Sequence, residues 1–162
     1  MGGAMSGAVP LRAGDLRLAT ATTTFDGTAG AGAVGTVDVF DVTGDILLYG
    51  LPIKCTVDLV NSVDGAILDI GFTDDVDIFH DGSGGPTDLD NIDAGMWLDG
   101  NAEAFVAGFA PFQAASGPFD LPYVVSSANI LYTITTQAIT GGTLVAYALW
   151  SPLSADGNLV AS

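Results

Sequence analysis

The sequence predicts an all-β protein: a single β-sandwich or jelly-roll-like domain of about eight or nine strands with an extended N-terminal arm. Three observations carry this expectation. The chain holds 22 Gly and 19 acidic residues, all Asp except Glu103, against only Arg12, Arg17 and Lys54. Asp and Gly disfavour helices, and the Lys and Glu that usually cover helix surfaces are nearly missing. Period-two patterning is the second observation. In Asn129–Thr135 (NILYTIT), Ile130, Tyr132 and Ile134 fall on one side of an extended chain, and Leu131, Thr133 and Thr135 on the other. The third is that short apolar runs recur between turn residues, with no amphipathic helix of convincing length.

Taken in order, Met1–Gly35 is rich in Gly, Ala and Thr, and residues 1–34 read as an arm ahead of a sandwich domain over 35–162. Arg12 and Arg17 lie on this arm, together with Leu11, Leu16 and Leu18. It is either a loose terminus or a segment that docks on a neighbouring acidic subunit. Regular structure is expected from Thr36–Val42, turning through Thr43-Gly44-Asp45 and returning along Ile46–Leu51 as a first hairpin, which Pro52 ends. Lys54–Val60 and Ala66–Phe72 flank a loop ending in Asp64-Gly65, for a second hairpin.

Thr73–Asn101 is a long Asp-rich excursion with extended pieces at Val76–Phe79 and Met96–Leu98. A further strand is expected at Glu103–Ala107. Gly108–Asp120 is a Gly/Pro/Phe loop whose Phe109, Phe112 and Phe119 either roof the core or meet a partner. Leu121–Ser126 leads into NILYTIT. Thr143–Trp150 (TLVAYALW) is apolar on both sides, as a central strand covered on both faces would be, and Gln137–Gly142 turns the chain between these two runs. Trp150 should close one end of the sandwich, with Leu153 and Leu159 folding back beside it.

Charge narrows the function classes. The formal net charge is −16, with 49% hydrophobic and only 14% charged residues. An acidic body repels phosphate backbones, so no nucleic-acid partner is expected. So few charges leave apolar and small residues on the exterior, and a contiguous apolar patch would mark an interface. Cys55 is the single cysteine, which excludes an intrachain disulfide and predicts a buried, inert thiol. No stretch is long and apolar enough for a membrane helix, and the first 20 residues lack the apolar region of a signal peptide. A cytoplasmically made product with no membrane partner is expected.

No residue pattern carries chemistry, and no catalytic, cofactor-binding or metal-ligating residue is predicted. Asp88-Leu-Asp90-Asn-Ile-Asp93-Ala-Gly95 has the wrong spacing for an EF-hand and lacks its Glu. Gly84-Gly85-Pro86-Thr87-Asp88 is not a β-roll Ca²⁺ motif. The Asp run reads as a solvated loop, with a weak interfacial Ca²⁺ site as the alternative. No Asp has a marked neighbour that would set up a glycosidase pair. His80 has no Ser or Cys in a nucleophile context, and Gly27–Gly35 lacks the strand–loop–helix setting of a phosphate cradle. Trp97 and Trp150 are core candidates, with sugar stacking as the alternative.

Several pieces together resemble a family of small proteins encoded among the virion genes of tailed bacteriophages. They are Gly35–Gly44, Asp88–Asp93 followed by Met96-Trp97, Ile130–Ile139, and Gly142-Thr143-Leu144 leading to Tyr147–Trp150. The ending Trp150-Ser-Pro-Leu-Ser-Ala-Asp-Gly-Asn-Leu-Val160 is the most telling. The resemblance covers about residues 35–160 and brings no catalytic motif with it. It implies a non-enzymatic, cement-like head decoration protein, a homotrimer whose partners are the major capsid protein and copies of itself. The alternatives are a head-spike, fibre or tail-tip subunit or, from another class, a carbohydrate-binding module. Because a filled head is packed with phosphate, a subunit of this charge belongs on the outer surface.

Overall fold

The computed structural model describes residues 16–61, 65–82, 89, 92–98, 106–107 and 122–162. Its strands in chain order are β1 (Arg17–Thr24), β2 (Gly35–Thr43), β3 (Asp45–Gly50), β4 (Ile53–Asn61), β5 (Ile67–Phe72) and β6 (Asp75–His80). Then follow β7 (Met96–Leu98), β8 (Val106–Ala107), β9 (Tyr123–Ser126), β10 (Ile130–Thr135), β11 (Ile139–Pro152) and β12 (Asn158–Ala161). They form two antiparallel sheets packed face to face, a β-sandwich as predicted, although with more strands than expected.

The front sheet is organised on β11. One edge of β11 pairs with β1 in unbroken register from Arg17↔Trp150 to Thr24↔Thr143. Along the other edge β3 and β4 run end to end, with Leu149↔Gly50 followed three residues later by Ala146↔Ile53. Pro52 interrupts that partner strand but keeps contact through its carbonyl, which accepts the Tyr147 N–H at 2.9 Å. Beyond β3 lies β9, and beyond β4 lie β7 and then β8. The back sheet has the order β12-β2-β10-β5-β6.

The expected hairpins are corrected by this topology. β2 belongs to the back sheet and β3 to the front; β4 is front and β5 back; β10 is back and β11 front. Each supposed hairpin turn is an arch that carries the chain from one sheet to the other. Gly44 does adopt positive φ (+59°), and a side chain there would meet the Asp156 Oδ1 at 2.7 Å. Thr136, at φ +69°, bends the β10–β11 arch. Gly44 and Asp45 form a node where β2, β3, β9 and the β11–β12 turn meet. The Asp45 N–H donates to Ser154 Oγ at 2.8 Å, and its carboxylate accepts the Ser126 hydroxyl at 2.6 Å.

Residues 17–24, read above as part of an arm over 1–34, are thus a strand of the front sheet, and Ala21 and Phe25 are buried in the core. Residues 1–15 lie outside the described residues, as do the whole Gly108–Asp120 loop with its three Phe and the expected Glu103–Ala107 strand except for Val106–Ala107.

The core lies between the sheets. Ile130, Tyr132 and Ile134 are no more than 1% exposed, as their alternation predicts, and they share one buried cluster with Ile46, Leu48, Ile53, Leu144 and Ala146 of the front sheet. Phe25 packs on Tyr132 with ring centroids 6.2 Å apart. The Tyr132 hydroxyl is fully buried without a hydrogen-bond partner, and that burial drives its pKa well above a normal phenol. Leu159 is buried, but Leu153, expected beside it, is half exposed.

Candidate interaction surface

The sequence-level candidates for chemistry do not converge. Cys55 is buried, its Sγ donating to the Val57 carbonyl at 3.1 Å, and burial raises its pKa. His80 is buried at the end of β6, opposite Ile70. Among the described residues no group of three or more His, Cys, Asp and Glu side chains is placed to hold a metal ion. Asp88 and Asp90 lie outside the described residues. Asp75 and Asp77, two residues apart on β6, share a hydrogen bond that holds the Asp75 carboxyl above its ordinary pKa. Asp69 is also raised, first by desolvation, although its Oδ1 accepts the Gly82 N–H at 2.8 Å.

The two Trp part company. Trp150, on the inner side of β11, is 3% exposed and closes one end of the core, as expected. The Arg17 guanidinium lies 5.0 Å from its ring centroid and caps that end. Trp97, on β7, is half buried on the outer side, stacked on Tyr147 at 5.9 Å with Lys54 Nζ 5.3 Å from its ring centroid.

That outer side is the feature the strands assemble. Along β11 Leu144, Ala146, Ala148 and Trp150 are buried, while Val145, Tyr147 and Leu149 alternate with them and are only half buried. The register places Leu18 beside Leu149, Thr20 beside Tyr147, and Thr22 and Lys54 on either side of Val145. Leu18 and, at the far side, Val124 are each 65% exposed. A central strand therefore shows apolar side chains on a face that the chain itself leaves half open.

The back sheet's outer face is built differently. Its strands carry Asp38, Asp41, Asp69, Asp75 and Asp77 and no Lys or Arg. The front strands carry Asp45 and Asp58 together with Arg17 and Lys54. Both front-sheet Asp are also spent on local structure. Asp45 binds Ser126, and Asp58 accepts the Ala94 N–H at 2.7 Å.

No family model matches the chain, and no curated protein matches it. Among solved structures it is similar to a chain of the cyanophage Pam1 capsid asymmetric unit. That likeness has a TM-score of 0.56 at 12% identity and covers 91% of this chain and 94% of the other. It is a likeness of fold.

Sequence reasoning had the signal for the apolar face but assigned it otherwise. The apolar pattern on both sides of Thr143–Trp150 predicts a central strand covered on both faces; the strand is central, but its outer residues Val145, Tyr147 and Leu149 are only half buried. Lys54 gave no signal of its own, because its place beside Trp97 and Val145 depends on strand register.

Proposed function

We propose that the protein is a structural virion protein of a tailed phage, a decoration or cement protein on the outer surface of the head that catalyses nothing and needs no cofactor. The observation that carries this reading is the unequal pair of outer faces on one sandwich. The apolar front face, with Tyr147, Leu149, Leu18, Val145 and Trp97, suits burial against the shell of the major capsid protein. The Asp-rich back face suits solvent, and its charge opposes any position against packaged nucleic acid. The similarity of the fold to a chain of a cyanophage capsid asymmetric unit supports the reading, as do the sequence pieces that resemble phage virion proteins.

The test uses particles assembled with and without the protein. A cement role predicts many copies per particle, and heads that lose genome at lower temperature or lower salt when the protein is missing. Equal heat and salt resistance would overturn cementing, and only a few copies per particle would point to a spike, fibre or tail tip. Trp97 and Tyr147 also favour one reading of another class, a carbohydrate-binding module. A glycan array probed with the isolated chain decides that, since the capsid reading predicts no binding.

A further inference from the structure

The lateral edges of the sandwich differ as much as its faces do. On one side β1 ends the front sheet and lies beside β12, which ends the back sheet. On the opposite side β6 ends the back sheet and meets β9 through Phe79 and Tyr123, whose centroids are 5.6 Å apart.

An unpaired sheet edge invites another chain, and proteins blunt such edges by keeping them short, charged or bulged. β8, β9 and β12 are 2, 4 and 4 residues long. β6 carries Asp75 and Asp77, and its pairing with β5 is irregular, stepping from Phe72↔Asp75 to Ile70↔His80. Among the described residues β1 is the least protected, its one charge being Arg17 at its first position. It is 8 residues long, RLATATTT, in regular register with β11, with no Pro, no acid and no bulge.

We propose that the β1–β12 edge of one molecule docks on the β6–β9 edge of a second copy of this chain, so that successive copies close into a ring. Charge complementarity names the occupant. In a chain of net charge −16, strands β1 and β12 carry Arg17 and no acid, with Asp26 two residues beyond β1 and Asp156 two residues before β12. The β6 edge carries Asp75 and Asp77, flanked by Asp74 and Asp81, and no cation. Asp75 and Asp77 already share a hydrogen bond, which chiefly raises the Asp75 pKa, and an arginine brought to the pair would favour both carboxyls charged. Apolar groups stand ready on both sides. Leu16, Leu18 and Val160 are 48%, 65% and 47% exposed on one edge, and on the other Val124 is 65% exposed beside half-buried Val76 and Ile78.

Because the two surfaces are different and lie on opposite sides, the contact is heterologous, and it makes a ring where the rotation between copies closes and an open filament where it does not. This uses Leu18 and Val124 at the margins of the front face and leaves Val145, Tyr147, Leu149 and Trp97 free for the shell, but it does not depend on the virion reading and is tested without particles.

The experiment is sedimentation velocity on the full chain over a wide concentration range, with each variant's unfolding midpoint measured alongside. The wild type should form a closed oligomer. Arg17→Glu and Asp77→Arg should each weaken self-association at least roughly tenfold, about 1.4 kcal/mol, and the double variant should recover most of it. Leu18→Asp, at a site exposed in the single subunit, should weaken association without moving the midpoint. A wild type that stays monomeric, an oligomer indifferent to these charges, or a double variant no better than the singles would overturn the proposal. So would a capsid protein that binds this edge while free subunits stay apart. Capsid binding lost in a variant that still forms rings would count against the virion reading alone.

Discussion

The front and back outer faces are made by the same device, alternation along a strand, and they end with opposite chemistry. On β11 the outward positions are Val145, Tyr147 and Leu149; on β2 they include Asp38 and Asp41. Asp41 is tied to Asn129 and Ser162 at 3.0 Å each, so part of that acidic face also fixes the C-terminal strand. The difference shows that a low charge content need not make a protein uniformly apolar outside. Among the described strands the back sheet carries five Asp and no cation, whereas the front sheet's two Asp are balanced by Arg17 and Lys54, leaving its outer side available for contact.

The largest test of this contrast removes what holds the front sheet together. Deleting residues 1–30 takes away β1 and the buried Phe25, uncovering one edge of β11. Losing a buried Phe alone costs about 3–5 kcal/mol, against a typical domain stability of about 5–15. Thermal unfolding should therefore show a severely destabilised chain. An unchanged midpoint would show that β1 is not integral to the sheet.

Next is Trp150→Ala. A buried indole lost from the end of the core should cost about 3–5 kcal/mol, read in the isolated chain by denaturant titration. An unchanged midpoint with lost particle binding would make Trp150 an interface anchor and remove the inner-outer distinction between the two Trp.

The direct comparison of the faces pairs Leu149→Asp with Asp38→Asn. The first should reduce incorporation into particles by roughly tenfold or more, about 1.4 kcal/mol. The second should leave incorporation unaltered and change stability by no more than about 0.5 kcal/mol. Reversed results in a competition assay would turn the molecule over on the shell.

The smallest effect is a pH dependence. Asp75 has its folded pKa raised above the ordinary 3.8, chiefly by its hydrogen bond with Asp77. Its contribution is stabilising below that value and is lost as pH rises through the raised one. Asp26 and Asp156 are lowered instead by hydrogen bonds from Thr28 and Ser154, so theirs is present at neutral pH and lost on acidification through their lowered values. Asp75→Asn should thus raise the midpoint slightly at neutral pH and make stability fall more steeply toward acid. A lower neutral midpoint would show the carboxylate to be needed charged.

The sequence determined most strands beyond residue 35 and, where they alternate, the side that meets the core, but it left β1 in an arm. Ile130, Tyr132 and Ile134 are buried because alternation is a property of the extended backbone and needs no partner to be read. The same local information placed Cys55 and Trp150 inside. Strand partners were decided only by the tertiary structure. A strand with one apolar side satisfies either sheet equally well, and a glycine with positive φ serves a hairpin or an arch alike, so Gly44 could not reveal that β2 and β3 lie in different sheets. The apolar face and the unequal edges follow from that pairing, since register alone sets Leu18 beside Leu149 and Lys54 beside Trp97. Composition could report that the chain is acidic and sparingly charged, but where the charge gathers is a property of neighbours distant in sequence.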